Sequence, residues 1–153
     1  MKLTIERRDL FTVPSSYILC HCVSADFALG AGIAKKFAAL GVRDELKEFL
    51  SFSHDLFGWH GKGYCIVTGT PKPHGALNLV TKEKYNHKPT LETLKQALED
   101  VPKIGWLQTK KHGKIAMPKI GCGLDKLRWS DVERILHEVF DKTEIEILVC
   151  DWS

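Results

Sequence analysis

Short apolar, β-rich runs alternate with helical periods along this chain, and that alternation admits few folds. Leu3 to Ile5, Tyr17 to Val23, Tyr64 to Thr68, Ala76 to Thr81, Lys114 to Met117 and Ile145 to Val149 read as strands. Between them, Ile33, Phe37 and Leu40 recur at helical spacing across Gly32 to Leu40. Arg43 to Leu50 forms a second helical stretch behind Gly41, and Thr90 to Val101 turns Leu91, Leu94, Leu98 and Val101 to one side. Ser130-Asp131-Val132-Glu133 has the form of a capping box opening a helix with Val132, Ile135, Leu136 and Val139 inward. Strands joined by helices in this way predict a layered α/β domain around a mixed or mostly parallel sheet.

The 153 residues suit one domain with a sizeable core, and 44% hydrophobic with 27% charged residues is ordinary for a globular protein. A net charge of +3 does not argue for nucleic acid by itself and does not oppose an anionic ligand. No apolar run approaches ~20 residues, so no membrane partner is expected. Met1 to Arg8 alternates like a strand and lacks an apolar signal core. Five cysteines without a Cys-x-x-Cys pair predict reduced thiols, an intracellular location and no metal site. No cofactor is expected either. In Cys20-His21-Cys22, alternation puts both thiols on one face of a strand and the imidazole on the other, as core residues.

Ligands of open α/β sheets bind beyond the carboxyl ends of strands. The loops of interest therefore follow Val23, Thr68, Val80 and Met117. The first, Ser24 to Ala34, carries Gly30-Ala31-Gly32 at the mouth of a helix, where N–H groups and the helix dipole favour phosphate. As a dinucleotide fingerprint it fails, because Lys35 stands at the third glycine, and turn glycines explain it equally well. The segment Thr81 to Pro89 holds three lysines and a histidine. Most of it reads as a solvated loop, but Lys82 directly follows the strand and is expected at the ligand edge, to pair with phosphate or attack a sugar carbon. After Met117, a proline stops the strand, and Gly121 and Gly123 lead to a single carboxylate, Asp125. A tight turn with a capping aspartate is the plain alternative there. Cys122 reads as a small residue filling that loop. Trp152, next to the last residue, is a candidate lid over a flat ring.

Taken together, Gly30-Ala31-Gly32-Ile33-Ala34, Thr81-Lys82, His87-Lys88-Pro89-Thr90 and Pro118-Lys119-Ile120-Gly121-Cys122-Gly123-Leu124-Asp125 resemble a macrodomain. Within that group they are similar to the terminal ADP-ribose protein glycohydrolase branch, of O-acyl-ADP-ribose deacylase type. The resemblance runs from Arg8-Asp9-Leu10-Phe11 to the last strand. It implies a three-layer α/β/α fold with a mixed sheet that binds ADP-ribose at one sheet edge. It implies that Asp9 and Leu10 contact adenine and that Gly30, Ala31, Gly32, Ile33 and Ala34 wrap the diphosphate. Ile120, Gly121, Cys122 and Gly123 become a second phosphate loop, with Thr81, Pro118 and Leu124 also at the ligand. Lys82 takes the role of nucleophile on the distal ribose, and Asp125 assists proton transfer. Two departures stand out: Phe27-Ala28-Leu29 is unusually apolar, and Ser53 to Lys62 has no counterpart.

The implied activity is removal of ester-linked ADP-ribose from acidic side chains of proteins, and deacylation of O-acyl-ADP-ribose, by a monomer. A non-catalytic ADP-ribose reader needs neither Lys82 nor Asp125. Removal of ADP-ribose from nucleic acid calls for a basic surface beside the cleft. A phosphatase acting on ADP-ribose 1″-phosphate is a further alternative.

Overall fold

The computed structural model describes residues 1–52, 58–105 and 113–152. Among them six strands form one sheet: β1 (Lys2–Glu6), β2 (Ile18–Ser24), β3 (Tyr64–Thr68), β4 (Ala76–Lys82), β5 (Lys114–Met117) and β6 (Glu146–Cys150). The order is β1-β6-β5-β2-β4-β3, with every neighbouring pair parallel except β3 with β4. Helices α1 (Gly32–Ala39) and α2 (Val42–Phe52) cover one face, and α3 (Leu91–Glu99) and α4 (Trp129–Phe140) cover the other. The fold is thus a three-layer α/β/α sandwich around a mixed sheet.

Two apolar cores follow from that layering. Leu94, Ala97 and Leu98 of α3 and Val132, Ile135, Leu136 and Phe140 of α4 pack on Cys20, Leu77, Leu79 and Ile147. On the other face, Phe37, Val42 and Leu46 pack on Leu19, Val80 and Leu148. β2 and β4 carry near-continuous buried runs because both faces are covered. The Cys20-His21-Cys22 alternation holds: the thiols face the α3–α4 layer and His21 faces α1. His21 is fully buried, stacks on Phe37 with centroids 3.7 Å apart, and meets Asn78 Oδ1 at 2.6 Å. Asn78 in turn donates to the Ile66 carbonyl and to Thr68 Oγ1, both at 3.0 Å. A polar thread therefore crosses an apolar layer; Asn78 is paired at both ends of its amide, while His21 Nδ1 has no hydrogen-bond partner among the described residues.

Several boundaries differ from the sequence reading. α2 runs from Val42 to Phe52, and α3 ends at Glu99, before a 3₁₀ turn at Val101–Lys103. The capping box expected at Ser130 does not form, since α4 already starts at Trp129 and Arg128 caps it without a side-chain bond. The capping box sits instead on α3, where Thr90 and Thr93 satisfy each other's backbone. Of the α1 stripe, only Phe37 is buried, while Ile33 and Leu40 face outward. Residues 53–57 of the unusual segment, and Trp106, lie outside the described residues. Among the described residues no helix is long and apolar enough to cross a membrane.

Candidate functional site

Strand direction decides which loops meet. β1, β2, β4, β5 and β6 are mutually parallel, so their carboxyl ends share one edge. β3 runs the other way, and the loop after Thr68, expected beside the site, lies at the opposite edge. Glu45 holds it there, accepting from the backbone N–H groups of Gly69 at 2.8 Å and Thr70 at 3.0 Å. β2 and β5 pair only through Ile18–Ile115 and Leu19–Ala116. Beyond that point the two strands part, and a cleft of about 760 Å³ opens between their ends. This is the crevice expected where the chain crosses over from one side of a parallel sheet to the other.

The loop after β2 forms one wall. A register shift between Val23 and Ser24 sets Ser24 opposite Lys82, and Ala25 N–H then donates to the Lys82 carbonyl at 2.9 Å. Phe27 and Leu29 are buried with φ of 51° and 44°, so their apolar side chains anchor an unfavourable backbone. That explains the unusual apolarity of this stretch. Ala31 caps α1 with no side-chain oxygen, which leaves the first-turn N–H groups of the helix turned to the cleft. Gly32, at φ 58°, starts the helix, and a Cβ there would sit 3.5 Å from Leu124 Cδ1.

The loop after β5 forms the facing wall. Ile120 is buried and pins it, Gly121 adopts φ 74°, and Leu127 N–H closes back on the Gly121 carbonyl at 2.7 Å. A Cβ on Gly121 would lie 2.8 Å from Leu127 Cδ1, so the turn accepts no larger residue without movement. Asp125 follows this turn. Its Oδ1 receives Lys82 Nζ at 2.7 Å, and both side chains are 14% exposed. Beneath the pair, burial pushes the Cys22 thiol well above its ordinary range, with Asp125 adding to the effect and Lys82 opposing it. Burial likewise raises Cys122 against the pull of Lys119, so neither thiol is primed as a nucleophile.

A second cleft of about 620 Å³ continues the first, sharing Gly32, Ile33, Pro118, Lys119 and Gly123 with it. Asp9, Leu10, Cys122 and Trp152 line this second part, while Gly30, Ala31, Ala34, Ile120, Gly121 and Leu124 line the first. Asp9 already accepts from Phe11 N–H at 3.0 Å and so caps the 3₁₀ turn Leu10–Thr12. Thr81 alone among the expected ligand residues reaches neither cleft. Strand alternation carries it to the face opposite Lys82, where it is 1% exposed.

Asp26 and Tyr85 were not singled out by sequence, and Lys88 entered there only within the His87-Lys88-Pro89-Thr90 motif. The Asp26 carboxylate accepts from Ser24 Oγ, from Ala28 N–H at 3.2 Å and from Tyr85 N–H at 3.0 Å. Burial works against its charge, but these bonds prevail and hold it below the usual carboxylate range. Lys88 Nζ donates to the Leu124 carbonyl at 2.6 Å, beside Asp125. The Ser24-x-Asp26 pair at a strand end is the one local signal that points to such a brace.

A six-stranded mixed sheet between helical layers, with a two-part cleft at its carboxyl edge, is a macrodomain arrangement. The macrodomain of Thermus aquaticus DarG superposes with a TM-score of 0.75, at 23% identity over 97% of each chain. DarTG of Thermosipho africanus, solved in complex with ADP-ribose, gives 0.64 at 18% identity, over 97% of this chain and 41% of that one. In sequence, bovine ADP-ribose glycohydrolase OARD1 is 34% identical over 150 residues, 97% of this chain and 90% of that protein. No protein-family model matches. The chain belongs to the ADP-ribose glycohydrolase OARD1 family of macrodomains.

Proposed function

We propose that this protein is a hydrolase that frees ADP-ribose from esters at its distal ribose, on acidic protein side chains and in O-acyl-ADP-ribose. The observation that carries this reading is the Lys82–Asp125 pair at 2.7 Å, set at one end of a cleft walled by two glycine loops. A reader of ADP-ribose has no use for a shielded amine and carboxylate at that end. The relatives named ADP-ribose glycohydrolase support it, as does the related DarTG that holds ADP-ribose.

In this reading the uncapped N–H groups of α1 and the turn at Gly121 to Gly123 hold the diphosphate. The second cleft, with Asp9, Leu10 and Trp152, takes the adenosine. Lys82 then meets the anomeric carbon of the distal ribose. Asp125 takes a proton from the ammonium, and the freed amine attacks. A C–N bond forms, the C–O bond to the ester oxygen breaks, and the substrate's carboxylate leaves with the electron pair. Water attacks the same carbon next, the C–N bond breaks, the amine regains its proton from Asp125, and the proton lost by the water passes through solvent to the departed carboxylate. The sum is one water consumed, with ADP-ribose and a carboxylic acid released. The protein works as a single domain and a monomer inside the cell, and its five free thiols are in keeping with a reducing compartment.

The test compares wild type with Lys82→Ala on a peptide carrying one glutamate-linked ADP-ribose. Loss of turnover by several orders of magnitude with ADP-ribose binding kept is the expected result. Near wild-type hydrolysis by Lys82→Ala overturns the lysine mechanism and calls for an activated water. Absence of ADP-ribose binding to the wild type at millimolar concentration, read by calorimetry, overturns the whole reading.

A further inference from the structure

Whatever is joined to the distal ribose must leave the cleft past the residues around Lys82 and Asp125. Those are Tyr85, Lys88 and Leu124, which line the same end of the cleft. Tyr85 is 69% exposed and Leu124 is 62% exposed, so two large apolar groups stand at the exit with no core role. The charge there is uneven. Segments 82–90 and 118–128 carry six Lys or Arg and two Asp or Glu, whereas the remainder of the chain carries sixteen and seventeen. Lys82, Lys88 and Lys119 are already engaged, with Asp125, the Leu124 carbonyl and Asp151. Lys84, Lys126 and Arg128 are exposed, and no ion pair holds them among the described residues.

Resting on the function proposed above, we infer that this rim binds the protein segment around the modified side chain, and that it selects acidic segments. Three exposed cations carried on the same two segments as Tyr85 and Leu124 match a short peptide with carboxylates and apolar groups interleaved. A nucleic-acid strand is the poorer fit. Its affinity rests on a row of phosphate contacts, and half of the cations here are already spent on carboxylates and a carbonyl. Attraction of exposed carboxylates to exposed cations speeds encounter and discriminates between partners more than it tightens binding.

The experiment uses two peptides, each with one glutamate-linked ADP-ribose, flanked either by Asp and Glu or by Gly and Ser. A single-stranded oligonucleotide with terminal ADP-ribose is the third substrate. Enzymes are the wild type and the triple variant Lys84→Glu, Lys126→Glu, Arg128→Glu. The wild type is expected to favour the acidic peptide in kcat/KM by about tenfold at low salt, from three exposed ion pairs acting together. That preference shrinks toward unity at ~0.5 M salt, where charges are screened over a few ångströms. In the triple variant it vanishes or inverts, while the neutral peptide's kcat/KM and the affinity for free ADP-ribose stay within about twofold. Equal kcat/KM for the two peptides at low salt overturns the inference while leaving the hydrolase reading intact. So does a preference for the oligonucleotide that the triple variant abolishes. Turnover of neither peptide by the wild type overturns both.

Discussion

The carboxylate of Asp26 accepts the backbone N–H of Tyr85 at 3.0 Å, tying the loop after β2 to the loop that begins at Lys82. The same carboxylate takes Ser24 Oγ and Ala28 N–H. The wall that carries the helix mouth is thereby locked to the strand end that carries the amine. Asp26→Ala leaves three donors without their acceptor. We expect a stability loss of about 1–3 kcal/mol, read by urea denaturation. We also expect kcat to fall more than ADP-ribose affinity does. Unchanged kcat in a folded variant rejects a positioning role for Asp26.

Asp125→Ala removes the proton acceptor next to Lys82. If the mechanism proposed above holds, breakdown of the covalent intermediate slows more than its formation. Intact-protein mass spectrometry with substrate then shows one added ADP-ribose, and peptide mapping assigns it to Lys82. An adduct on any other residue, or slow turnover without an adduct, contradicts that order of steps.

Gly32 and Gly121 answer differently to a side chain. At Gly32 a Cβ finds Leu124 Cδ1 at ordinary contact distance, so the main cost of Gly32→Val is a φ of 58°, on the order of 1–2 kcal/mol. Its β-branched side chain also covers N–H groups at the helix mouth. The variant should fold and bind ADP-ribose at least tenfold more weakly, a loss of about 1.4 kcal/mol. Gly121→Val adds a 2.8 Å clash with Leu127 to a φ of 74°, and its melting temperature should drop further than that of Gly32→Val. Thermal melts with and without ADP-ribose separate the two effects.

His21 gives the fold an acid-side weakness. Complete burial lowers its pKa to about 4, against an ordinary value of 6.5, while the Asn78 bond works the other way. The folded value lies below the unfolded one, so the unfolded chain takes up the proton first as pH falls. The stability from a neutral His21 is whole above pH 6.5 and drains away as pH falls toward 4. The full loss is on the order of 3 kcal/mol, at about 1.4 kcal/mol per unit. Urea midpoints at pH 7, 5.5 and 4.5 follow it. His21→Gln, with no titrating ring, should show a flatter profile over that window. An equal slope in both proteins assigns the acid sensitivity elsewhere.

Trp152 lines the second cleft and is 67% exposed. As a lid over adenine it should report binding. ADP-ribose is expected to quench the intrinsic fluorescence of the wild type and to leave that of Trp152→Ala largely unchanged. Identical quenching in both proteins rules out stacking on Trp152.

Much of this architecture was legible because buried strands and amphipathic helices impose different apolar periods. All six strands lie within one residue of their expected bounds; Lys82 is the last residue of β4, and Asp125 lies in the loop after β5. Strand direction was not legible. Nothing local in Tyr64 to Thr68 tells a parallel strand from an antiparallel one, and the loop after it was placed at the wrong edge. The Ser130 motif misled because α4 starts two residues earlier than its capping serine requires. Asp26 escaped notice because its partner Tyr85 is remote in sequence. Thr81 was carried along with its neighbour Lys82, although adjacent strand residues point to opposite faces.

Lys82 ends β4 and Asp125 sits in the loop after β5, and these strands are not neighbours: β4 and β5 lie on either side of β2. The amine and the carboxylate meet only by reaching over the end of the strand between them. The pair therefore forms only once β4 and β5 have both docked on β2, a strand that precedes them in the chain. Turnover is therefore a stringent reporter of completed folding. A refolding mixture could recover its helical circular dichroism from local contacts, yet hydrolyse nothing until β5 has docked against β2.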